Sequence, residues 1–216
     1  MHFKLVVFDF DGTIADTLQH SHRILNQLAE DYGFNRLEPS ELDRAKDMTA
    51  TQLIRYLRIP KRKIPIILGR GKKMLRQNIA EVPVCQGMDS LIQDLKEKGW
   101  RMGILTSNSV ENVEAFLRSK GLQHFEFISS VNGISGKHKH MRAICRTFSL
   151  RPEDMLYVGD ESRDVKAARK VRVPVAACSW GFNSEEALES YKPDFLVKDP
   201  QELIEVVYAE GVLPSV

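Results

Sequence analysis

A short apolar run that ends in two aspartates constrains this chain more than any other feature. The run covers residues 5–8 and continues into the sequence DFDGT at residues 9–13. Because residues i and i+2 of a strand project to the same face, Asp9 and Asp11 are predicted to converge where open α/β sheets bind ligands, at the strand's carboxyl end. Two carboxylates at such a short distance repel each other unless a cation lies between them or one of them is protonated. The pair suits a hard divalent cation such as Mg²⁺, and a solvated aspartate-rich turn is the alternative.

Further apolar runs recur along the chain at intervals that leave room for helices. The predicted strands are residues 5–8, 102–105, 125–129, 155–158, 173–177 and 195–197. The predicted helices among them are residues 90–98, 111–120, 137–148 and 164–170. This alternation predicts an α/β fold with a doubly wound parallel sheet.

Residues 17–82 interrupt the alternation. Leucines recur there at helical spacing, prolines punctuate the segment, and no convincing strand is visible. We therefore predict a small all-helical domain inserted after the first strand, with residues 1–16 and 83–216 forming the core. Residues 18–80 carry 13 Lys/Arg against 6 Asp/Glu, although the whole chain has a net charge of only +2. This excess suggests either an anionic substrate or solvated helix faces, and the lack of interleaved aromatic residues disfavours nucleic acid.

Composition limits the protein class. With 216 residues, 43% hydrophobic and 28% charged, the chain can bury a full core as an ordinary globular protein. No apolar run reaches about 18 residues, so no membrane span is predicted, and no secretory signal is visible at the amino terminus. Three widely spaced cysteines (Cys85, Cys145 and Cys178) suit a reducing compartment. We expect a cytoplasmic protein without membrane contact, and the oligomeric state stays open.

Three more polar motifs lie near the ends of predicted strands. Residues 106–108 read Thr-Ser-Asn, whose hydroxyls and following helix N–H groups can bind an anion, although such residues are also common N-caps. Residues 159–164 read GDESRD and offer two acids four residues apart, which can also serve as helix-capping groups. Between these motifs, Lys137 stands at a predicted loop-to-helix junction. Each motif alone is ambiguous.

Taken in order, the four motifs resemble those of the haloacid dehalogenase superfamily of phosphohydrolases. Residues 103–108, 157–164 and 177–182 are similar to its phosphoglycolate-phosphatase-like group, and the inserted helices resemble that group's small cap. The resemblance implies a Rossmann-like core and a phosphatase that uses Mg²⁺ to hydrolyse a small phosphorylated metabolite. We refer to residues 17–82 as the cap segment.

The resemblance also implies roles for individual residues. Asp9 would be the nucleophile that forms an aspartyl-phosphate, and Asp11 would act first as general acid and then as general base. Thr106 and Lys137 would complete the catalytic set by holding the phosphoryl oxygens. The implied phosphate-binding residues are Gly12, Thr106, Ser107, Asn108 and Lys137, and the implied metal ligands are Asp9, Asp11 through its backbone carbonyl, Asp160 and Asp164.

The substrate and the reaction leave alternatives. Arg44 or Lys46 in the cap segment could meet a substrate carboxylate, although surface charge explains both residues slightly better. A cap lysine such as Lys46 could instead serve phosphonate hydrolysis. A phosphoglucomutase-like transfer would use the same nucleophile, and the fold could also be kept as a binding or scaffold protein without turnover.

Overall fold

The computed structural model describes residues 3–131 and 136–210, which form a parallel sheet flanked by helices. The strands are β1 (Leu5–Phe8), β2 (Met102–Thr106), β3 (Phe127–Ser130), β4 (Met155–Gly159), β5 (Val175–Cys178) and β6 (Phe195–Val197). The helices are α1 (Leu18–Tyr32), α2 (Leu42–Lys46), α3 (Ala50–Tyr56), α4 (Ile64–Asn78), α5 (Met88–Glu97), α6 (Val110–Lys120), α7 (Lys137–Thr147), α8 (Ser162–Arg169), α9 (Glu185–Glu189) and α10 (Pro200–Glu210). The strand order is β3-β2-β1-β4-β5-β6 and every pairing is parallel, which confirms the predicted α/β fold.

Both faces of the sheet are buried because the strands carry apolar side chains on each face. Val6 and Phe8 of β1 belong to a hydrophobic cluster that includes α5 and α6. Leu5 and Val7 alternate with them and join the cluster on the opposite face, which includes α7 and α8. A parallel sheet covered by helices on both sides needs this kind of near-continuous apolar strand.

Some element boundaries differ from the predicted ones. Strand β5 begins at Val175 rather than at residue 173, because Pro174 has no N–H to donate to the ladder. Helix α10 was not predicted, although its start is marked in the sequence. Asp199 accepts hydrogen bonds from the backbone N–H groups of Gln201 and Glu202, and Pro200 takes the first helical position.

The cap segment contains α1 to α4 and has its own apolar cluster, which includes Leu28, Phe34, Leu57 and Ile67. Its two connections to the sheet run side by side. The backbone N–H of Asp16 donates to the carbonyl of Pro83 at 2.9 Å, and that of Cys85 donates to Ile14 at 2.8 Å. The helical segment therefore leaves the sheet and returns to it at adjacent points.

The three cysteines are buried and unpaired, as the sequence predicted. Within the described ranges, no helix combines the length and the apolar character needed to cross a bilayer.

Two isoleucines test which helix faces support the core. Ile92 in α5 is fully buried, whereas Ile66 in α4 is 58% exposed. We expect Ile92→Ala to lower the free energy of unfolding by about 2–5 kcal/mol, and Ile66→Ala to change it by less than about 0.5 kcal/mol. Urea denaturation followed by circular dichroism measures both variants. Equal losses would contradict the assignment of α5 to the core and of the Ile66 side chain to the surface.

Candidate active site

The predicted site residues gather at the carboxyl ends of the three central strands. Asp9 follows β1, Thr106 ends β2, and Asp160 follows β4, while Lys137 begins α7. Strand β1 ends at Phe8, so Asp9 and Asp11 lie in the following loop, and the expectation that both project from one strand face is wrong. The backbone N–H of Asp9 still extends the ladder by donating to Val158 at 2.8 Å. Parallel strands bring these loops together at one edge of the sheet.

The ammonium group of Lys137 lies at the centre of this site. It donates hydrogen bonds to Asp9 Oδ2 at 2.5 Å and to Asp164 Oδ1 at 2.6 Å. A third bond runs to the Tyr157 hydroxyl at 2.8 Å, and this hydroxyl donates to the carbonyl of Leu105 at 3.0 Å. Lys137, Asp9 and Asp164 are all buried. The lysine is therefore fixed against the two carboxylates and a neutral hydroxyl.

Burial and charge act against each other here. Burial raises the pKa of Asp9 to about 7, even though the adjacent Lys137 ammonium lowers it. Burial alone would lower the pKa of Lys137, but the carboxylates of Asp164 and Asp9 outweigh it and raise that pKa above its usual value. Lys137 therefore stays protonated, and its positive charge reduces the energetic cost of an ionised Asp9 in this buried site.

Three of the predicted metal ligands form a compact acidic cluster. Asp9, Asp160 and Asp164 each offer an oxygen, and these oxygens lie within 4.8 Å of one another. Burial raises the pKa of Asp160 well above its usual value, and the nearby carboxylates add to this effect. Ionised, the three carboxylates and the Lys137 ammonium leave two negative charges. An oxygen donor set with this charge fits a hard divalent cation.

Two glycines make room for Asp160. A Cβ atom at Gly12 or at Gly181 would lie 2.2 Å from Asp160 Oδ2, and Gly12 has a φ of +77°. The Asp160 oxygens accept hydrogen bonds from the Thr13 hydroxyl and from the backbone N–H of Phe182, both at 2.8 Å. The backbone N–H of Gly12 donates within its own loop, to Ala15. The structure thus shows Gly12 making room for Asp160, and its predicted phosphate contact stays a prediction.

Asn108 positions Asp11 in the structure, although it was predicted to bind phosphate. Its Nδ2 group donates to both Asp11 oxygens, at 3.1 and 3.0 Å, and its Oδ1 accepts from Asn112 at 2.9 Å. The backbone N–H of Asn108 donates to the buried Thr106 hydroxyl at 2.9 Å. Burial raises the pKa of Asp11, with the Asn108 hydrogen bond opposing the shift. Asp11 is therefore held by Asn108, and it favours protonation more than an exposed aspartate does.

An ion pair that the sequence analysis missed lies beside these groups. Arg163 Nε donates to Glu161 Oε2 at 2.6 Å, and Arg163 Nη2 contacts the same oxygen and lies 3.4 Å from Ser107 Oγ. Ser107, predicted to bind phosphate, thus points towards a guanidinium. Both members of the pair lie inside the GDESRD motif. Their opposite charges were the only sequence signal that distinguished them from solvated residues. Tyr157 was also missed, because a tyrosine inside a buried strand has the pattern of a core residue.

A cavity of about 380 Å³ separates the cap segment from the sheet edge. Most of its lining is apolar and comes from the cap segment. Its polar end belongs to the core and is formed by Asp11, Ser107, Asn108, Glu161 and Arg163. Of the four aspartates described above, Asp11 lines this cavity, at the polar end that the core contributes.

Asn183 links the cap segment to the loop that carries the acids. Its Nδ2 group donates to the carbonyls of Lys46 and Met48, at 2.8 and 3.1 Å. Its Oδ1 accepts from the backbone N–H of Ser162 at 2.8 Å. The backbone N–H of Ser184 adds a bond to the Lys46 carbonyl at 3.1 Å.

The two cap cations considered from the sequence differ in position. Arg44 is exposed and stacks over the Tyr56 ring, 5.1 Å from its centroid, and it does not line the cavity. Lys46 is half-buried and does line the cavity. Of the two, only Lys46 faces the space above the site.

Comparison with known proteins agrees with this arrangement. Residues 6–178 match the family model described as haloacid dehalogenase-like hydrolase. A phosphoglycolate phosphatase from Synechococcus elongatus is 30% identical over 205 residues, covering 94% of this chain and 97% of that protein. The pyrophosphatase PpaX from Bacillus cereus is 24% identical over 218 residues, covering 96% and 97%. The crystal structure of a predicted phosphatase from Clostridium acetobutylicum, 20% identical, shares the fold with a TM-score of 0.82 over 97% of this chain and 100% of that one.

The family model spans most of the chain, including the loops that carry Asp9, Thr106, Lys137 and Asp160. The chain therefore belongs to the haloacid dehalogenase-like hydrolase family.

Proposed function

We propose that this protein is a Mg²⁺-dependent phosphatase that hydrolyses a small phosphomonoester through an aspartyl-phosphate on Asp9. The observation that carries the proposal is the buried Asp9 carboxylate, held by Lys137, with Asp11 nearby at the polar end of the cavity. The sequence relatives support the reaction class, since they are named as a phosphoglycolate phosphatase and a pyrophosphatase.

In the first half-reaction, an Asp9 oxygen attacks phosphorus, and the bond between phosphorus and the ester oxygen breaks. The backbone N–H of Phe10 already donates to Asp9 Oδ1 at 2.7 Å, so the carboxylate has a fixed orientation. The Lys137 ammonium and the Thr106 hydroxyl offset the negative charge on the phosphoryl oxygens. Phosphoryl transfer depends mainly on such positioning and charge stabilisation.

Asp11 would supply the proton that the leaving oxygen needs. Its raised pKa favours the protonated form, as a general acid requires. Once ionised, the same carboxylate can take a proton from the water that hydrolyses the aspartyl-phosphate. Asn108 would hold Asp11 in place for both steps.

Asp9, Asp160 and Asp164, with the Asp11 backbone carbonyl, would hold Mg²⁺. When bound, this ion supplies charge neutralisation, so that an anionic carboxylate can approach an anionic phosphoryl group.

We also propose that residues 17–82 act as a cap that closes over the bound substrate and excludes water. The apolar cluster formed within these residues and the adjacent entry and exit of the chain support this division, while Leu75, Ile79 and Val82 pack in the cluster of the sheet. The three free cysteines are consistent with a cytoplasmic location.

Replacing Asp9 tests the nucleophile. We expect Asp9→Asn to abolish phosphate release from 2-phosphoglycolate, sugar phosphates and pyrophosphate, because an amide cannot form the acyl-phosphate. A phosphate-release assay with Mg²⁺ and with chelator measures this, and chelator should also silence the wild type. Turnover by Asp9→Asn above the level of a mock purification would contradict the assignment.

A pair of lysines on α7 tests the central ammonium. We expect Lys137→Met to lower kcat/KM by about 100–1000-fold, the usual effect of removing one group that stabilises transition-state charge. Lys139→Met is the matched control, since Lys139 is exposed on the same helix and should keep normal activity. Circular dichroism checks that both variants are folded. Comparable activity of the two variants would show that Lys137 does not serve the reaction.

Mg²⁺ binding can be followed without turnover. A ligand that binds only the folded state at about 100 times its Kd adds about 2.7 kcal/mol to stability. We expect Mg²⁺ to raise the Tm of the wild type, and Asp160→Asn to lose most of this rise. Asp89→Asn, an exposed aspartate of α5, should keep it. An undiminished rise in Asp160→Asn, measured by differential scanning calorimetry, would remove Asp160 from the metal site.

A further inference from the structure

We propose that Arg163 binds a second anionic group of the substrate, so that the site selects compact phosphoryl compounds that carry a carboxylate or a second phosphate close to the reacting phosphorus. This inference rests on the proposed phosphatase function and specifies the substrate class.

Arg163 is placed beside the reacting groups without belonging to them. Its guanidinium lies 3.4 Å from the hydroxyl of Ser107, the residue that follows Thr106. It lines the same cavity as Asp11. A substrate group that binds Arg163 would therefore lie beside Ser107 and Asp11, close to the phosphoryl group.

The guanidinium keeps hydrogen-bonding capacity for a ligand. Its Nε and Nη2 groups contact Glu161 and Ser107. Among residues 3–131 and 136–210, Nη1 donates no hydrogen bond. The side chain is 27% exposed. Arginine presents its donors as a planar fork that matches a carboxylate or a phosphate.

Glu161 competes with a substrate anion for the guanidinium of Arg163. Its side chain is 17% exposed, and its carboxylate contacts the guanidinium as a substrate anion would. A second anionic group on the substrate would share or replace this contact. A substrate without such a group would leave the ion pair between Arg163 and Glu161 intact and would gain no binding energy from Arg163.

The other cations of the cavity are less suited to this role. Lys46 and Lys72 line it from the cap segment, and Arg44 lies outside it, over Tyr56. Most of the remaining lining of the cavity is apolar, so a charged group can find cationic partners only near the core or at these two lysines. Arg163 is the cation that the core contributes, in the first turn of α8 and next to Asp164.

Matched substrates test this inference. Ethyl phosphate has the spacing of 2-phosphoglycolate but a methyl group in place of the carboxylate, and pyrophosphate carries a second phosphate. We expect Arg163→Met to lower the kcat/KM ratio of 2-phosphoglycolate, pyrophosphate or both to ethyl phosphate by at least about tenfold, as expected for a lost charged hydrogen bond. Whichever of 2-phosphoglycolate and pyrophosphate shows the larger loss identifies the natural second group. Arg44→Met is the control and should leave the ratios unchanged.

A parallel loss on all three compounds would overturn the proposal, because Arg163 would then act on Asp9 or Asp11 rather than on the substrate. Binding to the Asp9→Asn variant, measured by calorimetry, separates this failure from failure of the phosphatase function. If that variant prefers 2-phosphoglycolate or pyrophosphate over ethyl phosphate, and adding Arg163→Met removes the preference, Arg163 reads the second anion whether or not the wild type turns these compounds over. No preference in the Asp9→Asn variant would overturn the proposal.

The Glu161→Gln variant tests whether Glu161 competes with the substrate for Arg163. Removing its charge should lower KM for the substrate with the second anionic group severalfold while changing KM for ethyl phosphate less. An unchanged or higher KM for that substrate would show that Glu161 does not compete for Arg163.

Discussion

One lysine ammonium, that of Lys137, joins two buried carboxylates that would otherwise repel each other at the carboxyl edge of the sheet. Asp9 follows β1 and Asp164 lies in α8, so this ammonium ties together two parts of the fold that are far apart in the sequence. A buried ion pair contributes little net stability, but removing one partner from it leaves a charge without compensation. The pair therefore constrains geometry more than it stabilises the fold, and it orients the carboxylate that is proposed to react.

The rest of the site is arranged around this centre by charge. One group, with Lys137 and the acidic cluster, carries a negative excess that a divalent cation can neutralise. The other group, Glu161 with Arg163, is neutral as a pair and faces the cavity. Asp11 lies near both but is bound by Asn108. Separate attachment of this kind lets neighbouring carboxylates have different proton affinities, as a nucleophile and a general acid require.

Much of this arrangement could be predicted because it follows from topology. Asp9, Thr106 and Asp160 end or follow apolar strands, and in a parallel sheet such ends must meet. What could not be predicted depends on contacts across the fold. The Tyr157 side chain is indistinguishable from core packing until α7 brings Lys137 against it. The partner of Arg163 depends on the turn that begins α8, which has no periodic signal.

Because the two connections of the cap segment run side by side, variation in this segment is separated from variation in the sheet. The chain leaves the sheet near Asp16 and returns near Pro83, and the two are hydrogen-bonded neighbours. The strands consequently keep their register whatever length of chain is inserted between these points. Leu75, Ile79 and Val82 pack against the sheet, so we expect helices that pack only within the cluster of the cap segment to vary most freely. Under the proposed function, changes in those helices would alter what is bound while the acidic cluster beneath keeps its spacing.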